Sequence, residues 1–480
     1  MKTRYQTPRR QGVRTALALL AAVTAAAPAL AQAPAAAPAP APAPVLTMPV
    51  PAPSRLMAIT NATIMTASSG TIPRGTIVIR DGRIAAVGAN VAVPAGAEVI
   101  DAAGRWITPG IIDAHSHTAA EAINEGTQSV TSETRMADVL RVDGVTIYRQ
   151  LAGGVTTANV LHGSANTIGG QNATIKLRYG LPADSFLFAG APPGIKFALG
   201  ENVRQTNRQV QPGQQRRYPF TRMGQEQVLR DAFTRAREYH AERAQFDSSL
   251  AAWQRLPRNR RGAEPVPPRR DIELDALVEV MDGRRLVHAH SYRSDEIFML
   301  LGVARDFGFR IATLQHVLEG YRVADEIARA GTGASTFADM WAYKLEAYDA
   351  IPHNAALMAE RGVTVTINSD SDERARRLYQ EAAKAMHYGG ASEEEALRMI
   401  TLNAARQLGV QDRVGSIEVG KDADLAIFNG HPFAPASRVE MTLIDGRVFF
   451  DRRTAPTLEN LIQQTRQQRA PGRAASGGGQ

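Results

Sequence analysis

Residues 108–117 read Thr-Pro-Gly-Ile-Ile-Asp-Ala-His-Ser-His. The apolar run before the histidines is typical of a buried β-strand, in which side chains two positions apart point to the same face. His115 and His117 would then leave one face together and could bind a divalent cation through two ring nitrogens. Imidazole suits zinc and its first-row neighbours, although a pair of histidines alone is a weak signal.

Downstream of this stretch, predicted strands and helices alternate. Strands are predicted at 285–290, 310–316, 334–337 and 363–368, and helices at 271–281, 295–307, 322–330, 352–361, 374–386 and 392–408. The last helix opens with Ser392 and three glutamates, which is a capping-box pattern. Repeated βα units of this spacing favour a parallel sheet, and their number favours an α/β fold of the (β/α)8 TIM-barrel class.

Both flanks of this region have a β-rich texture. Short strands are predicted at 56–66, 75–80, 83–87 and 99–102, and again at 423–428, 439–444 and 447–450. Turn signals such as Asp81-Gly82 separate them. We therefore predict one composite β-sandwich domain formed by residues 55–106 and 415–452, and a barrel domain over 107–414.

Residues 203–270 do not follow the barrel rhythm. They are rich in Gln, Arg and Pro, and we predict an exposed insertion with one helix over 225–245. From 204 to 270 there are 15 arginines and 6 acidic residues, a local net charge of +9 in a chain that carries +8. The basicity is therefore local, and because no nucleic-acid-binding motif accompanies it, no nucleic-acid partner is expected.

The N-terminus predicts export. Basic residues from Lys2 to Arg14 precede an apolar run over 16–23 and the small-x-small sequence Ala29-Leu30-Ala31. This indicates a signal peptide over 1–31, too short for a stable membrane span. Arg9-Arg10 leaves the twin-arginine route open beside the general secretory route. The absence of cysteine is compatible with an oxidising compartment, and the expected location is periplasmic or secreted.

Two further segments have biased composition. Residues 32–54 are almost all Ala and Pro, which indicates an extended linker. Residues 453–480 form a C-terminal extension whose end, rich in Gly, Ser and Arg, is predicted to be largely disordered.

Potential metal ligands occur in the order in which barrel strands would end. In chain order they are His115 and His117 after the first strand, Lys196 near the fourth, His288 and His290 at the fifth, His316 at the sixth and Asp370 after the eighth. Because the active sites of such barrels lie at the C-terminal ends of the strands, we expect these side chains to converge.

Together these segments resemble the amidohydrolase superfamily, in its imidazolonepropionase-like or prolidase-like branch. The resemblance covers about residues 55–452. It is carried by 109–117, Val287-His288-Ala289-His290, Leu314-Gln315-His316, Asn368-Ser369-Asp370 and the Val-Gly-Lys-Asp-Ala-Asp-Leu sequence of 419–425. It implies a barrel flanked by a composite β-sandwich, and a metal-activated water that attacks an amide-type carbon.

The resemblance also implies roles for single residues. The metal ligands would be His115, His117 and Asp370 for the more buried ion, His288 and His316 for the second, and Lys196 as a bridge after carboxylation by CO2. Lys176 stays open as the alternative bridging lysine. The expected cofactor is a divalent metal, Zn2+, as one or two ions. Asp370 would also be the catalytic general base, which takes the proton of the water and passes it to the leaving nitrogen.

Substrate contacts are expected at the barrel mouth. The candidates are His290, Tyr292 and Arg293 at the fifth strand, and Asn166 and Gln171 in the polar, Gly-rich segment 162–172, which is predicted to be a loop. A structural role stays open for the loop residues and for His290. The remaining histidines fit no ligand position and are predicted to be structural or superficial: His162, His240, His353, His387 and His431.

The resulting hypothesis is an exported, metal-dependent amidohydrolase that cleaves amide or peptide-like C–N bonds in a small-molecule or peptide substrate. Two alternatives stay open: a metal-dependent deaminase of the same superfamily, and a non-catalytic binding protein on the same fold. Deaminases of this type typically place a Glu three residues after the fifth-strand His, where this chain has Ser291. The sequence does not choose between a dipeptide, an N-acyl amino acid, a cyclic imide and a lactam, nor does it decide whether the protein is a homo-oligomer.

Overall fold

The computed structural model describes residues 55–204, 213 and 217–456. The predicted signal peptide over 1–31, the linker over 32–54 and most of the predicted C-terminal extension lie outside the described residues. Among the residues described, no helix is both long and apolar enough to cross a bilayer.

The first sheet joins both ends of the described chain. Its strands are β1 (Leu56–Met65), β2 (Thr71–Arg80), β3 (Arg83–Gly88), β4 (Glu98–Asp101), β5 (Trp106–Pro109), β14 (Leu425–Phe428), β15 (Val439–Ile444) and β16 (Arg447–Asp451). Strand β5 pairs in parallel with β1 and antiparallel with β14, with Ile107 opposite Ile427. Side chains from both ends, including Ile59 and Leu443, share one apolar core. The predicted composite β-sandwich is therefore confirmed.

The second sheet is the barrel. Its strands, which are hydrogen-bonded in sequence order, are β6 (Ile111–Ser116), β7 (Val155–Val160), β8 (Ile168–Lys176), β9 (Gly194–Ala198), β10 (Leu286–His290), β11 (Ile311–Gln315), β12 (Gly333–Thr336) and β13 (Val365–Ile367). A parallel bridge between Ser116 and Ser371 brings the two edge strands together. The predicted TIM-type barrel is confirmed, and its closure places the end of β6 beside the end of β13.

One strand departs from the all-parallel expectation. Strand β8 is antiparallel to both β7 and β9. Residues 161–167 between β7 and β8 are too few for the crossover that a parallel neighbour needs, so the chain turns back directly. The prediction that 162–172 is entirely loop is therefore wrong for residues 168–172, which belong to β8.

The helices surround the barrel. In chain order they are α1 (Val145–Leu151), α2 (Met223–Arg255), α3 (Ile272–Met281), α4 (Ser294–Phe307), α5 (Ala324–Arg329), α6 (Asn354–Glu360), α7 (Leu378–Gly389), α8 (Glu393–Met399) and α9 (Leu402–Gln407). The capping box predicted at Ser392 is present at the start of α8. The single helix predicted over 392–408 is interrupted, because Ile400 and Thr401 leave the helical conformation.

The predicted insertion is only partly exposed. Helix α2 extends beyond the predicted 225–245, and its first half carries buried side chains such as Leu229 and Phe233. The Phe233 ring stacks on Phe309 with centroids 4.4 Å apart. The prediction of an exposed insertion therefore fails for this half, which packs against the barrel as its other helices do, and holds for the second half, in which no residue is buried.

Candidate metal centre

Barrel closure brings residues about 250 positions apart into one cluster. His115 Nε2 lies 3.2 Å and His117 Nε2 lies 2.9 Å from Asp370 Oδ1. The backbone N–H of Asp370 donates to the carbonyl of His115 (3.0 Å), and Asp370 has a left-handed backbone conformation (φ 45°) that turns it out of β13. The ligand atoms of these three residues all lie within 4.8 Å of one another, close enough to share one metal ion.

Neighbouring groups fix the orientation of both rings. His115 Nδ1 is 3.2 Å from Gln315 Oε1, and His117 Nδ1 is 3.2 Å from the Leu161 carbonyl. With a metal ion bound, a proton on each Nδ1 would leave each Nε2 lone pair free for the ion, the arrangement common to metal-binding histidines. Sequence reasoning missed Gln315, and its position beside His316 was the available signal. His316 has a left-handed backbone conformation (φ 61°), so the alternation of side chains along β11 ends there. The side chains of Gln315 and His316 therefore both reach His115.

The other predicted ligands lie around this cluster. His316 Nε2 is 3.6 Å from Asp370 Oδ2, and the His316 ring centroid is 4.4 Å from that of His115. Lys196 Nζ is 3.0 Å from His115 Nε2. His288 lies opposite Lys196 in the β9–β10 register and is fully buried. Strands β6, β9, β10 and β11 and the residues after β13 thus supply the six predicted ligands at one end of the barrel.

Burial disfavours the protonated form of these bases. It lowers the pKa of His288 and of His316 to about 3, and it holds the pKa of His115 and His290 well below the usual value. Burial also lowers the pKa of Lys196 to about 7. Unprotonated imidazole is the form that binds a metal ion.

Asp370 is the anion of the cluster. Burial alone would raise the pKa of Asp370, but His316, His115 and the hydrogen bond from His117 outweigh it and hold that pKa well below its usual value. The Asp370 side chain is nevertheless 29% exposed, so the cluster is reachable from solvent.

The residues fit a divalent cation. Buried ring nitrogens of His288, His290 and His316 have no hydrogen-bond partner among the described residues. A buried polar atom without a partner is costly, about 1–3 kcal/mol, unless something else satisfies it. Neutral imidazoles and a carboxylate are the donor set that zinc and related metals prefer, and a bound cation could take one ring nitrogen each from His288 and His316.

Of the two candidate lysines, Lys196 contacts the cluster and Lys176 does not. Lys176 Nζ lies 2.8 Å from Asp422, 3.1 Å from Asp424 and 2.6 Å from Asp445. Burial lowers the pKa of Lys176, but these three carboxylates outweigh it and the net shift is upward. Lys176 therefore links barrel strand β8 to the sandwich through buried ion pairs. It is not a candidate bridging ligand.

The predicted substrate-contact residues divide into two groups. His290 and Tyr292 lie at the cluster, with ring centroids 4.9 Å and 5.8 Å from that of His316. The side-chain hydrogen-bond donors of the other three, Asn166, Gln171 and Arg293, bind other groups of the protein. Asn166 donates to the Glu125 and Gln128 carbonyls and to Thr131, Gln171 donates to the Ser132 carbonyl, and Arg293 pairs with Asp295 on the surface. These contacts do not support substrate binding by Asn166, Gln171 or Arg293, because they hold a neighbouring loop and the start of α4.

Sequence reasoning missed one wall of the site, in the loop after β12. The Phe337 ring stacks on His316 with centroids 4.7 Å apart, and the Tyr343 hydroxyl hydrogen-bonds the Tyr292 hydroxyl. Lys344 Nζ lies 4.9 Å above the Tyr292 ring. The available signal was the density of aromatic residues immediately after a predicted strand end.

Comparison with known proteins identifies relatives of this chain. The model of the amidohydrolase family matches residues 349–449. Amidohydrolase tasK of Hapsidospora irregularis is 31% identical over 386 residues, which are 75% of this chain and only 38% of that protein's length. An imidazolonepropionase of Mesorhizobium japonicum is 26% identical over 76% of this chain and 88% of its own. The crystal structure of an amidohydrolase from Thermotoga maritima superposes with a TM-score of 0.73 at 30% identity, and covers 82% of this chain and all of that one.

Proposed function

Because the chain belongs to the amidohydrolase family, we propose that it is a metal-dependent hydrolase of amide or peptide-like C–N bonds. The observation that carries the proposal is the convergence of His115, His117 and His316 on Asp370, with Lys196 in contact with His115, at the C-terminal end of the barrel. Unpartnered buried imidazole nitrogens beside a reachable carboxylate support a metal site more than a structural core.

We assign the ligands to two metal positions. His115, His117 and Asp370 would hold one divalent ion, and His288 and His316 would hold the second, with Zn2+ as the proposed metal. Lys196 would join the two positions as a carbamate. Its lowered pKa, about 7, supports this because only the neutral amine reacts with CO2. A divalent ion bound here lowers the pKa of a bound water and polarises a carbonyl oxygen.

Asp370 is proposed as the general base. Its Oδ1 lies within 3.2 Å of His115 Nε2 and His117 Nε2, whereas Oδ2 lies 3.6 Å from His316 Nε2. The low pKa of Asp370 keeps the carboxylate ionised and able to accept a proton. Oδ2 would take the proton of the attacking water and deliver it to the leaving nitrogen. Proton transfer of this kind contributes about 10²–10⁴-fold.

His290 and Tyr292 are proposed to orient the substrate. Both ring nitrogens of His290 lack a partner among the described residues, so they are available to a polar substrate group. The Tyr292 hydroxyl is held by Tyr343, and this pair lies beside His316 on the side of the loop after β12.

The deaminase alternative is less well supported. The position that would carry a glutamate as proton donor is Ser291, whose hydroxyl is buried and donates to the Ala289 carbonyl (3.2 Å). A contact between Lys196 and His115 also favours a two-metal hydrolase over a one-metal deaminase. A non-catalytic binding protein on the same fold would not explain why these buried imidazole nitrogens lack hydrogen-bond partners among the described residues.

The test is metal analysis combined with a substrate screen. Protein purified without chelator should contain one or two equivalents of a divalent metal, and should hydrolyse members of a panel of dipeptides, N-acyl amino acids, cyclic imides and lactams. Chelation should remove activity, and added Zn2+ should restore it. Release of ammonia from an aminated heterocycle without cleavage of any amide would instead favour the deaminase.

We further propose that the chain is exported, on the evidence of its N-terminal sequence. N-terminal sequencing of the mature protein from a Gram-negative host should begin at Gln32, and intact Met1 in the cytoplasmic fraction would contradict export.

A further inference from the structure

Helix α2 is attached to the barrel over its first half only. Its buried side chains run from Gly224 to Tyr239, and none of residues 240–255 is buried. At about 1.5 Å per residue, the second half extends roughly 24 Å beyond Tyr239. The chain then returns through 256–270, and the Asp271 N–H donates to Tyr239 Oη (3.3 Å), so both ends meet at the base. We call residues 240–270 the arm.

The tip of the arm is strongly basic. Residues 253–262 read Trp-Gln-Arg-Leu-Pro-Arg-Asn-Arg-Arg-Gly, with four arginines and no acidic residue. Arg255, Arg258 and Arg260 are exposed, and within the described part of the chain no carboxylate lies within 4.0 Å of their guanidinium groups. These ten residues carry +4, half of the chain's net charge of +8. Half of the net positive charge therefore lies in the turn at the end of the arm.

The tip is also a defined turn. Arg261 donates to the carbonyls of Gln254 and Leu256 and lies 4.8 Å from the centre of the Trp253 ring, whose Nε1 donates to the Gly262 carbonyl (3.0 Å). Leu256 is 43% exposed beside these cations. A tryptophan and an exposed leucine among unpaired arginines combine the two attractions that hold interfacial segments on membranes.

We propose that the arm tip docks on a lipid bilayer rich in anionic headgroups. Charge complementarity selects an anionic partner, and the shape of the tip selects a flat one. A nucleic acid needs a groove or stripe of cations along its phosphates, whereas this tip is a convex end with an apolar component. Docking would leave the metal centre untouched, because none of the proposed metal ligands lies in residues 240–270.

Vesicle co-sedimentation of the full chain tests the proposal. The tip variant R255Q/R258Q/R260Q keeps Arg261 and hence the internal contacts of the turn. The matched variant R80Q/R310Q/R406Q removes the same charge from three exposed arginines elsewhere that also lack ion pairs among the described residues. Both share the same N-terminus, so any binding by that segment cancels in the comparison.

The expected result is binding to vesicles that contain phosphatidylglycerol, weak binding to pure phosphatidylcholine vesicles, and loss of binding at high salt. Each arginine near an anionic surface strengthens binding about five-fold, so the tip variant should bind on the order of 100-fold more weakly than the matched variant. The variant R255K/R258K/R260K, which keeps the positive charges of the tip, should bind like wild type. The metal content of all variants should be equal.

Equal binding by the tip and matched variants would overturn the proposal. So would equal binding to neutral and anionic vesicles. Salt-sensitive retention of the tip by DNA without retention by anionic vesicles would assign the surface to a different partner, and concentration-dependent self-association through the tip would assign it to a second copy of the chain.

Discussion

Lys176 offers the sharpest test of how the barrel and the sandwich are joined. Its ammonium group is buried and lies 2.6–3.1 Å from three aspartates of the C-terminal segment. Lys176→Met keeps most of the side-chain volume and removes the charge. Asp422 and Asp445 would keep Arg413 and Arg178, each at 2.7 Å. Asp424 would keep no cation within 4.0 Å among the described residues.

The expected cost follows from that unpaired carboxylate. Removal of one partner of a buried ion pair typically destabilises a protein by about 3–5 kcal/mol. Burial raises the pKa of Asp424 to about 6 even with Lys176 beside it, and loss of the lysine should raise it further. A carboxyl group whose pKa is raised by folding costs stability above its unfolded-state pKa of about 3.9, and the cost grows until the pH reaches the raised pKa. The defect of Lys176→Met should therefore be largest above pH 7 and smaller at pH 5.5.

Urea unfolding of wild type, Lys176→Met and the double variant Lys176→Met/Asp424→Asn measures the effect at pH 7.5 and 5.5. The double variant should recover much of the lost stability at pH 7.5, because the amide carries no charge. Lys384→Met, which removes a more exposed lysine from its ion pairs, is the control and should cost under about 1 kcal/mol. Two results would speak against this role of Lys176. One is a free energy of unfolding of Lys176→Met within about 1 kcal/mol of wild type at pH 7.5. The other is a loss of stability that depends on neither pH nor Asp424.

Three further outcomes are expected. Asp370→Asn should lower kcat by several orders of magnitude while the protein stays folded and binds some metal, because an amide cannot accept the proton of water; an active variant, measured on any substrate found in the screen, would remove Asp370 from the mechanism. Lys196→Ala should lower the metal content by mass spectrometry and lose activity that short carboxylic acids partly restore, whereas full metal occupancy would argue against a bridging role. Phe233→Ala should cost about 3–5 kcal/mol in chemical denaturation because its ring is buried against Phe309, and a neutral result would show that the first half of α2 is not part of the barrel core.

Much of the site could be predicted because its residues follow strand ends. His115, His117 and His316 end apolar runs of strand length, and Asp370 follows another. In a barrel the ends of all strands meet at one rim, so the order along the chain predicts proximity in space. The same rule could not choose between Lys176 and Lys196. That choice depends on strand direction, since β8 runs antiparallel and carries Lys176 to the opposite end, beside the sandwich.

The unpredicted parts depend on packing between distant segments. Strand β8 is antiparallel because the connection before it is short. The polar composition of this segment predicted a longer loop instead. Asn166 and Gln171 are residue types that often contact substrates, but their side-chain amides hold the loop around Ser132. The aromatic residues after β12 were a signal for the wall of Phe337 and Tyr343, but the segment has no regular periodicity, so the sequence did not predict that Phe337 stacks on His316.

Anomalous diffraction at the zinc edge, from crystals of the zinc-loaded protein, would show whether the buried histidines around Asp370 bind a divalent metal. We expect a peak about 2.0–2.3 Å from nitrogens of His115 and His117 and from an oxygen of Asp370, with any second peak at His288 and His316. Anomalous density that lies more than about 5 Å from these atoms, or zinc-loaded crystals with no density at the cluster, would contradict it.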